Sequence, residues 1–146
     1  LEGTGIKFKI LTRNHGKCLV FLYRRESFSR YLKRTDVREF LGSYGYEDVE
    51  PEKMLERLSK RVCQYSDGEI CFPHEIGAFL DYPIDDVKCF IEKDGKDSLF
   101  SGYWKVYNNP GRAKMIFWAY DKAKTSAVNE YLIGKNIRDI AYVAAC

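Results

Sequence analysis

No hydrophobic run in this chain approaches the roughly 20 residues needed to cross a bilayer, and the stretch Leu1–Lys9 lacks the apolar core of a signal peptide. A soluble chain with no membrane partner is expected. Histidine is scarce, with only His15 and His74 in 146 residues. There is no phosphate-binding glycine loop and no dinucleotide glycine motif. The zinc-protease pattern His-Glu-x-x-His fails as well, because His74-Glu75 is followed by Ala78 where the second histidine belongs. These absences remove the common catalytic constellations, so no cofactor is expected and the reading leans away from an enzyme. Disulfide architecture is also disfavoured. Five cysteines are an odd number in a chain too large and too apolar to need covalent staples, which points to free thiols in a reducing, cytoplasmic setting.

What is present is an ordinary globular balance of 45% hydrophobic and 31% charged residues, enough apolar material to offset the entropy of ordering the chain. One core and a single domain over residues 1–146 are expected. Aromatic residues are plentiful, with eleven Tyr and nine Phe, which favours a well-filled core or a core with an aromatic-lined groove. The net charge of +3 conceals a polarity along the chain: residues 1–40 carry +6, residues 41–100 carry −7 and residues 101–146 carry +4. Basic outer segments beside an acidic middle pair weakly at a surface. A nucleic-acid face ordinarily shows a stronger basic footprint, so a nucleic-acid partner is not expected.

Ile6, Phe8 and Ile10 alternate with Lys7 and Lys9, and the run Cys18–Tyr23 follows the turn residues Arg13-Asn14-His15-Gly16. This predicts a β-hairpin with His15 exposed in its turn, and the second strand, apolar on both faces, is expected to be covered on both sides. Helical spacing begins at Glu26 and continues through Val37, Phe40 and Leu41 after a cap at Thr35 or Asp36. Pro51 opens a further helix striped by Met54, Leu55, Leu58, Val62 and Tyr65 and closed by Asp67-Gly68. Short helices are predicted over 74–80 and 84–93, separated by Tyr82-Pro83. A strand is predicted over Leu99–Tyr107, joining the hairpin sheet. Pro110 opens the longest helix, with an apolar stripe from Ala113 to Tyr131, and Asn136 caps a last one over 137–145. The expected fold class is α+β, a small antiparallel sheet made of the N-terminal hairpin and a strand near Trp104, covered by five or six helices.

The segment from His74 to Ile91, preceded by Phe72-Pro73, has the form Phe-Pro-His-Glu-Ile-Gly with a Tyr82-Pro83 break, and Trp104-Lys105-Val106-Tyr107 follows. Together with Tyr23-Arg24 these motifs resemble a bacterial family found mainly in clostridia, domain-of-unknown-function family thirty-seven ninety-three. The resemblance extends over most of the chain. It implies that relatives carry extra N-terminal sequence absent here, and it supplies no activity. Asp81 stands where the pattern has glycine, which weakens the expectation of a tight turn there, and Cys89 stands where a small residue is usual.

Residues 74–93 also fit the register of a helix-turn-helix, but a second helix beginning Ile84-Asp85-Asp86 would present carboxylates to phosphates. Cys71 and His74 have a Cys-x-x-His spacing, a weak metal signal because structural zinc usually shows two close ligand pairs. A cysteine nucleophile with His74 as base uses the same residues, with no family signature around any cysteine. Trp104 and its neighbours fit a stacking platform, or more simply core packing. The candidate ligand-binding set is Arg24, His74, Glu75, Tyr103, Trp104 and Lys105, charged or polar residues within apolar elements that need solvent or a partner. The functional expectation is a non-enzymatic binding or accessory module with an unidentified protein or small-molecule partner. The alternatives are a nucleic-acid-binding regulator using the helix-turn-helix-like unit at 74–93 and, third, a small cysteine-dependent enzyme.

Overall fold

The computed structural model describes residues 2–14 and 16–143. They form two compact units, one of Ile6–Val87 and one comprising the described parts of Leu1–Gly5 and Lys88–Cys146. The fold class is α+β.

The first unit begins with the hairpin. Strand β1 (Ile6–Asn14) pairs antiparallel with β2 (Lys17–Arg24). The predicted turn lies between them, with His15 outside the described residues. A register shift between Ile10 and Thr12 marks a bulge that turns Leu11 inward, where it is buried. Helix α1 (Arg25–Leu32) follows without a linker and α2 (Thr35–Gly42) comes next. The predicted cap at Thr35 or Asp36 is corrected: Arg34 occupies the cap position without a side-chain cap bond, because Asp36 turns to pair with the Arg34 guanidinium at 2.7 Å.

Helix α3 (Pro51–Ser66) is the main support of the hairpin. Pro51 sits in its first turn, and Met54, Leu55, Leu58 and Val62 form one buried stripe. The Ser59 hydroxyl donates to the Leu11 carbonyl at 2.6 Å, fixing the bulge to the helix. Fully burying each such leucine is worth about 1.5–3 kcal/mol, so this stripe holds the helix to the sheet. Tyr65, the last member of the predicted stripe, is exposed because the helix has by then passed its supports. Helix α4 is a single turn (Ile76–Phe79), shorter than the predicted 74–80, and α5 (Ile84–Glu92) follows the Tyr82-Pro83 break. Gly77 allows the two to approach: a Cβ there would lie 3.1 Å from Val87 Cγ2.

In the second unit the predicted strand over Leu99–Tyr107 is broken. It forms β3 (Phe100–Ser101) and β4 (Lys105–Val106), which pair with each other as a separate two-stranded sheet and do not join the hairpin. The reversal occurs at Gly102, whose N–H donates to the Trp104 carbonyl at 3.0 Å. Helix α6 (Pro110–Leu132) opens as predicted at Pro110, with the Asn109 side chain accepting from the Arg112 N–H at 3.2 Å. Its stripe is only partly used. Ala113 is buried and Ile116 and Phe117 are half-buried, whereas Val128 and Tyr131 are exposed. Helix α7 (Ile137–Val143) is capped by Asn136, whose Oδ1 accepts from the Arg138 N–H at 2.9 Å. The predicted extension to residue 145 lies partly outside the described residues.

One further correction concerns β2. Its apolar residues were expected to be covered on both faces. Phe21 is buried, but Leu19, Val20 and Leu22 are 45%, 43% and 60% exposed, because α3 packs on one side of the hairpin only. No helix of the described residues is long and apolar enough to cross a membrane.

Candidate functional site

The uncovered side of β2 borders a groove of about 400 Å³ in the first unit. Five consecutive β2 residues, Val20–Arg24, form one wall, α1 supplies Phe28 and Tyr31, and the α4 end supplies Phe79, Leu80 and Asp81. The deep side is aromatic. Phe28 lies with its ring 5.6 Å from Phe21, 5.3 Å from Tyr23 and 6.2 Å from Phe79. Polar groups stand at the margins, with the half-buried Arg24 at the end of β2 and the exposed Asp81 after α4.

Two devices hold the far wall. The Tyr31 hydroxyl donates to the Ala78 carbonyl at 2.6 Å, tying α1 to α4. Burial, and secondarily the Asp81 charge, push the Tyr31 hydroxyl well above its ordinary range, so it stays protonated as a donor. Asp81 itself adopts φ +59°. The tight turn that aspartate at this position argued against is therefore made, because a short polar side chain tolerates the left-handed region better than most.

Behind Phe79 lies a buried charge. Glu75 is fully buried, and its Oε1 accepts from Arg61 Nε and from the Tyr46 hydroxyl, the latter at 3.1 Å. Its second oxygen, Oε2, is buried and accepts no hydrogen bond from the described residues. Bonding to Glu75 raises the Arg61 pKa, and burial followed by the Glu75 charge raises that of Tyr46. Arg57, one turn before Arg61, stacks 5.3 Å from the Tyr46 ring centroid and donates to the Tyr44 carbonyl at 2.9 Å. The Tyr46 ring packs 5.2 Å from Phe79. Charge, ring and groove wall are thus one connected cluster, and its chemistry is positional: an ion pair of this burial fixes α4 and holds Phe79 in place.

The residues singled out from the sequence fall in several places. Arg24 and its neighbour Tyr23 line the groove. Glu75 stands behind it, with Arg61 and Tyr46 as partners. His74 precedes α4, its ring 5.2 Å from Phe72, which meets Tyr65 edge-on at 5.1 Å. Tyr103, Trp104 and Lys105 belong to the second unit. There Trp104 is buried against Phe117 at 4.5 Å, the Tyr103 hydroxyl donates to Asp121 at 2.8 Å, and Lys105 Nζ donates to the Gly95 carbonyl at 2.5 Å. Cys71 is exposed. No disulfide joins Cys18, Cys63, Cys71 and Cys89, and Cys146 lies outside the described residues. Among the described residues, no three His, Cys, Asp or Glu side chains come together as a metal-binding group.

Sequence reasoning missed Arg61, Tyr46 and Asp81. Arg57 and Arg61 do carry a signal, a basic i, i+4 pair flanking the apolar stripe of α3. A family model described as "Protein of unknown function (DUF3793)" matches residues 1–141. Comparison with curated proteins and with solved structures gives no match.

Proposed function

Since the chain belongs to the family of unknown function DUF3793, which supplies no activity, we propose from its geometry that it is a non-enzymatic binding module whose recognition surface is the groove along β2. The observation that carries this is the combination of an aromatic-walled groove of about 400 Å³ with exposed aliphatic residues on the strand that borders it. Apolar walls with a few polar groups at the rim are the usual form of a binding site.

The other two readings have less support. A DNA-reading helix pair would need a supporting first helix, and α4 is one turn long, while α5 begins with Asp85 exposed and Asp86 buried. A cysteine enzyme would need a thiol beside its base, and the ring contact described for His74 is with Phe72.

The test is site-specific photo-crosslinking in the source cells from position 22, with position 115 as the comparison, since Met115 is also exposed. A discrete adduct from position 22 that disappears with Leu80→Asp, while the variant melts normally, is the expected result. Identical adducts from both positions, or none from position 22, would overturn the proposal.

A further inference from the structure

The identity of what enters the groove can be taken a step further, resting on the reading of the groove as a binding surface. We propose that the open edge of β2 accepts an extended segment of a partner protein as a third strand, and that this segment carries acidic residues at both ends of an apolar stretch.

The geometry supplies the first argument. Successive side chains on a strand point to opposite faces. A groove that touches Val20, Phe21, Leu22, Tyr23 and Arg24 in succession must therefore run along the backbone edge of the strand, not over one face. Among the described residues β2 pairs only with β1, so alternate N–H and C=O groups point outward along that edge.

The sequence of the strand supplies the second. Natural edge strands are blunted by charge, proline or a bulge. From Cys18 to Tyr23 there is no charge, no proline and no glycine, and the register irregularity lies on β1. Such an edge is suited to main-chain pairing, with side-chain pockets beside it for selectivity. Phe28 and Phe79 would receive one face of the added strand, while the other would extend the exposed surface of Val20 and Leu22.

Charge selects the occupant. Ile6–Arg25 contains six basic residues and no acid, Lys17 and Arg24 bracket the uncharged run seven residues apart, and Asp81 on the opposite wall is the one carboxylate lining the groove. A second copy of this chain is disfavoured: antiparallel pairing centred between Val20 and Phe21 would set Lys17 of one copy against Arg24 of the other at both ends, and like charges directly opposite destabilise a ladder. Single-stranded nucleic acid would meet the positive charge but binds by stacking bases on aromatic faces. The phenylalanine rings that line the groove, Phe21, Phe28 and Phe79, are buried and offer no open face for stacking, and the exposed side chains of the central run are chiefly aliphatic, Leu19, Val20 and Leu22. A polypeptide with carboxylates seven residues apart around alternating Val, Ile or Thr satisfies backbone, side chains and charge together.

The experiment uses the full chain and three synthetic peptide pools with a common Val/Ile/Thr centre: one flanked by Glu at that spacing, one flanked by Lys, and one Glu-flanked pool N-methylated at alternate amides. Binding is followed by fluorescence anisotropy and by amide hydrogen exchange. The Glu-flanked pool should bind and slow exchange at alternate amides of Cys18–Tyr23. The Lys-flanked pool should bind about tenfold more weakly, the N-methylated pool should not bind, and Lys17→Glu should narrow the difference between the flanks. Equal binding of both flanks, protection elsewhere in the chain, no binding at all, self-association through β2, or displacement of the peptide by oligouridine would each overturn the proposal. Where position 22 crosslinks a partner and the peptides fail, the groove reading stands and the strand mode falls; where both fail, both fall.

Discussion

The described residues form two antiparallel ladders, and they differ in how much apolar surface they leave open. At the ladder of β3 and β4, Val106 of β4 and Trp104 of the connecting turn are buried, and the Trp104 ring meets Phe117 of α6 edge-on at 4.5 Å. That ladder is only two residues long on each side, and its own helix consumes its aromatic surface. The ladder of β1 and β2 is far longer, is supported by α3, and leaves Leu19, Val20 and Leu22 open. An aromatic-rich motif is therefore not by itself a binding surface. The candidate surface is the one the fold has enough support to leave uncovered.

The comparison breaks most visibly under truncation. Trp104→Ala should cost about 3–5 kcal/mol, as large aromatic losses from a core do, while Leu22→Ala should change stability by less than about 0.5 kcal/mol. Denaturant unfolding of the two variants checks both. A large loss at Leu22 would mean that β2 is structural and not a surface held open.

The groove's support can be cut separately. Arg61→Met leaves Glu75 buried without its cation, and such a change costs about 3–5 kcal/mol. Because Tyr46 packs on Phe79, the same variant should speed amide exchange in α4 before that of α3. Uniform acceleration across the unit would contradict the positional role given to the ion pair.

On the other ladder, Gly102→Ala would place a Cβ against the edge of the Phe117 ring, closer than atoms can approach, so the ring must move. Overpacking of this kind costs about 1–3 kcal/mol. Thermal melting with near-ultraviolet dichroism should show a lower midpoint and an altered aromatic signal.

An alkaline limit follows from the tyrosines that brace the groove. Tyr31 and Tyr46 are both raised above the ordinary tyrosine value of about 10, chiefly by burial. Below that value both folded and unfolded states hold these protons, so their contribution to stability is fully present. Above about pH 10 the unfolded chain releases them first, and stability falls as pH rises. Tyr31→Phe should flatten this alkaline decline, at the cost of the bond to Ala78 at every pH.

The smallest effect is a gain. Asp81→Gly removes a side chain from a left-handed backbone and should stabilise the fold by about 0.5 kcal/mol after the greater entropy of the unfolded chain is counted.

What was legible in the sequence was local. The hairpin, the proline-opened helices α3 and α6, the break at Tyr82-Pro83 and the cap at Asn136 all depend on neighbouring residues, and each is found near its predicted place. What escaped depended on distance. The partnership of Glu75 with Arg61 and Tyr46 spans 14 and 29 residues and leaves no spacing signature. The break at Gly102 was hidden because the aromatic run reads as one strand. The open face of β2 was misread because an apolar run shows what can be buried and not whether a partner element exists within the chain to bury it.

The central claim is that the exposed side chains and outer edge of β2, with the groove beside them, are available for recognition, while Phe21 of the same strand serves the core. The most direct measurement is to compare melting temperature and affinity for the Glu-flanked peptides in the single variant Leu22→Asp. The account predicts an unchanged melting temperature and an affinity reduced by about tenfold or more, as an unpaired carboxylate on an apolar binding strand requires. An affinity that survives the substitution, or one that falls only in step with the melting temperature, would contradict it.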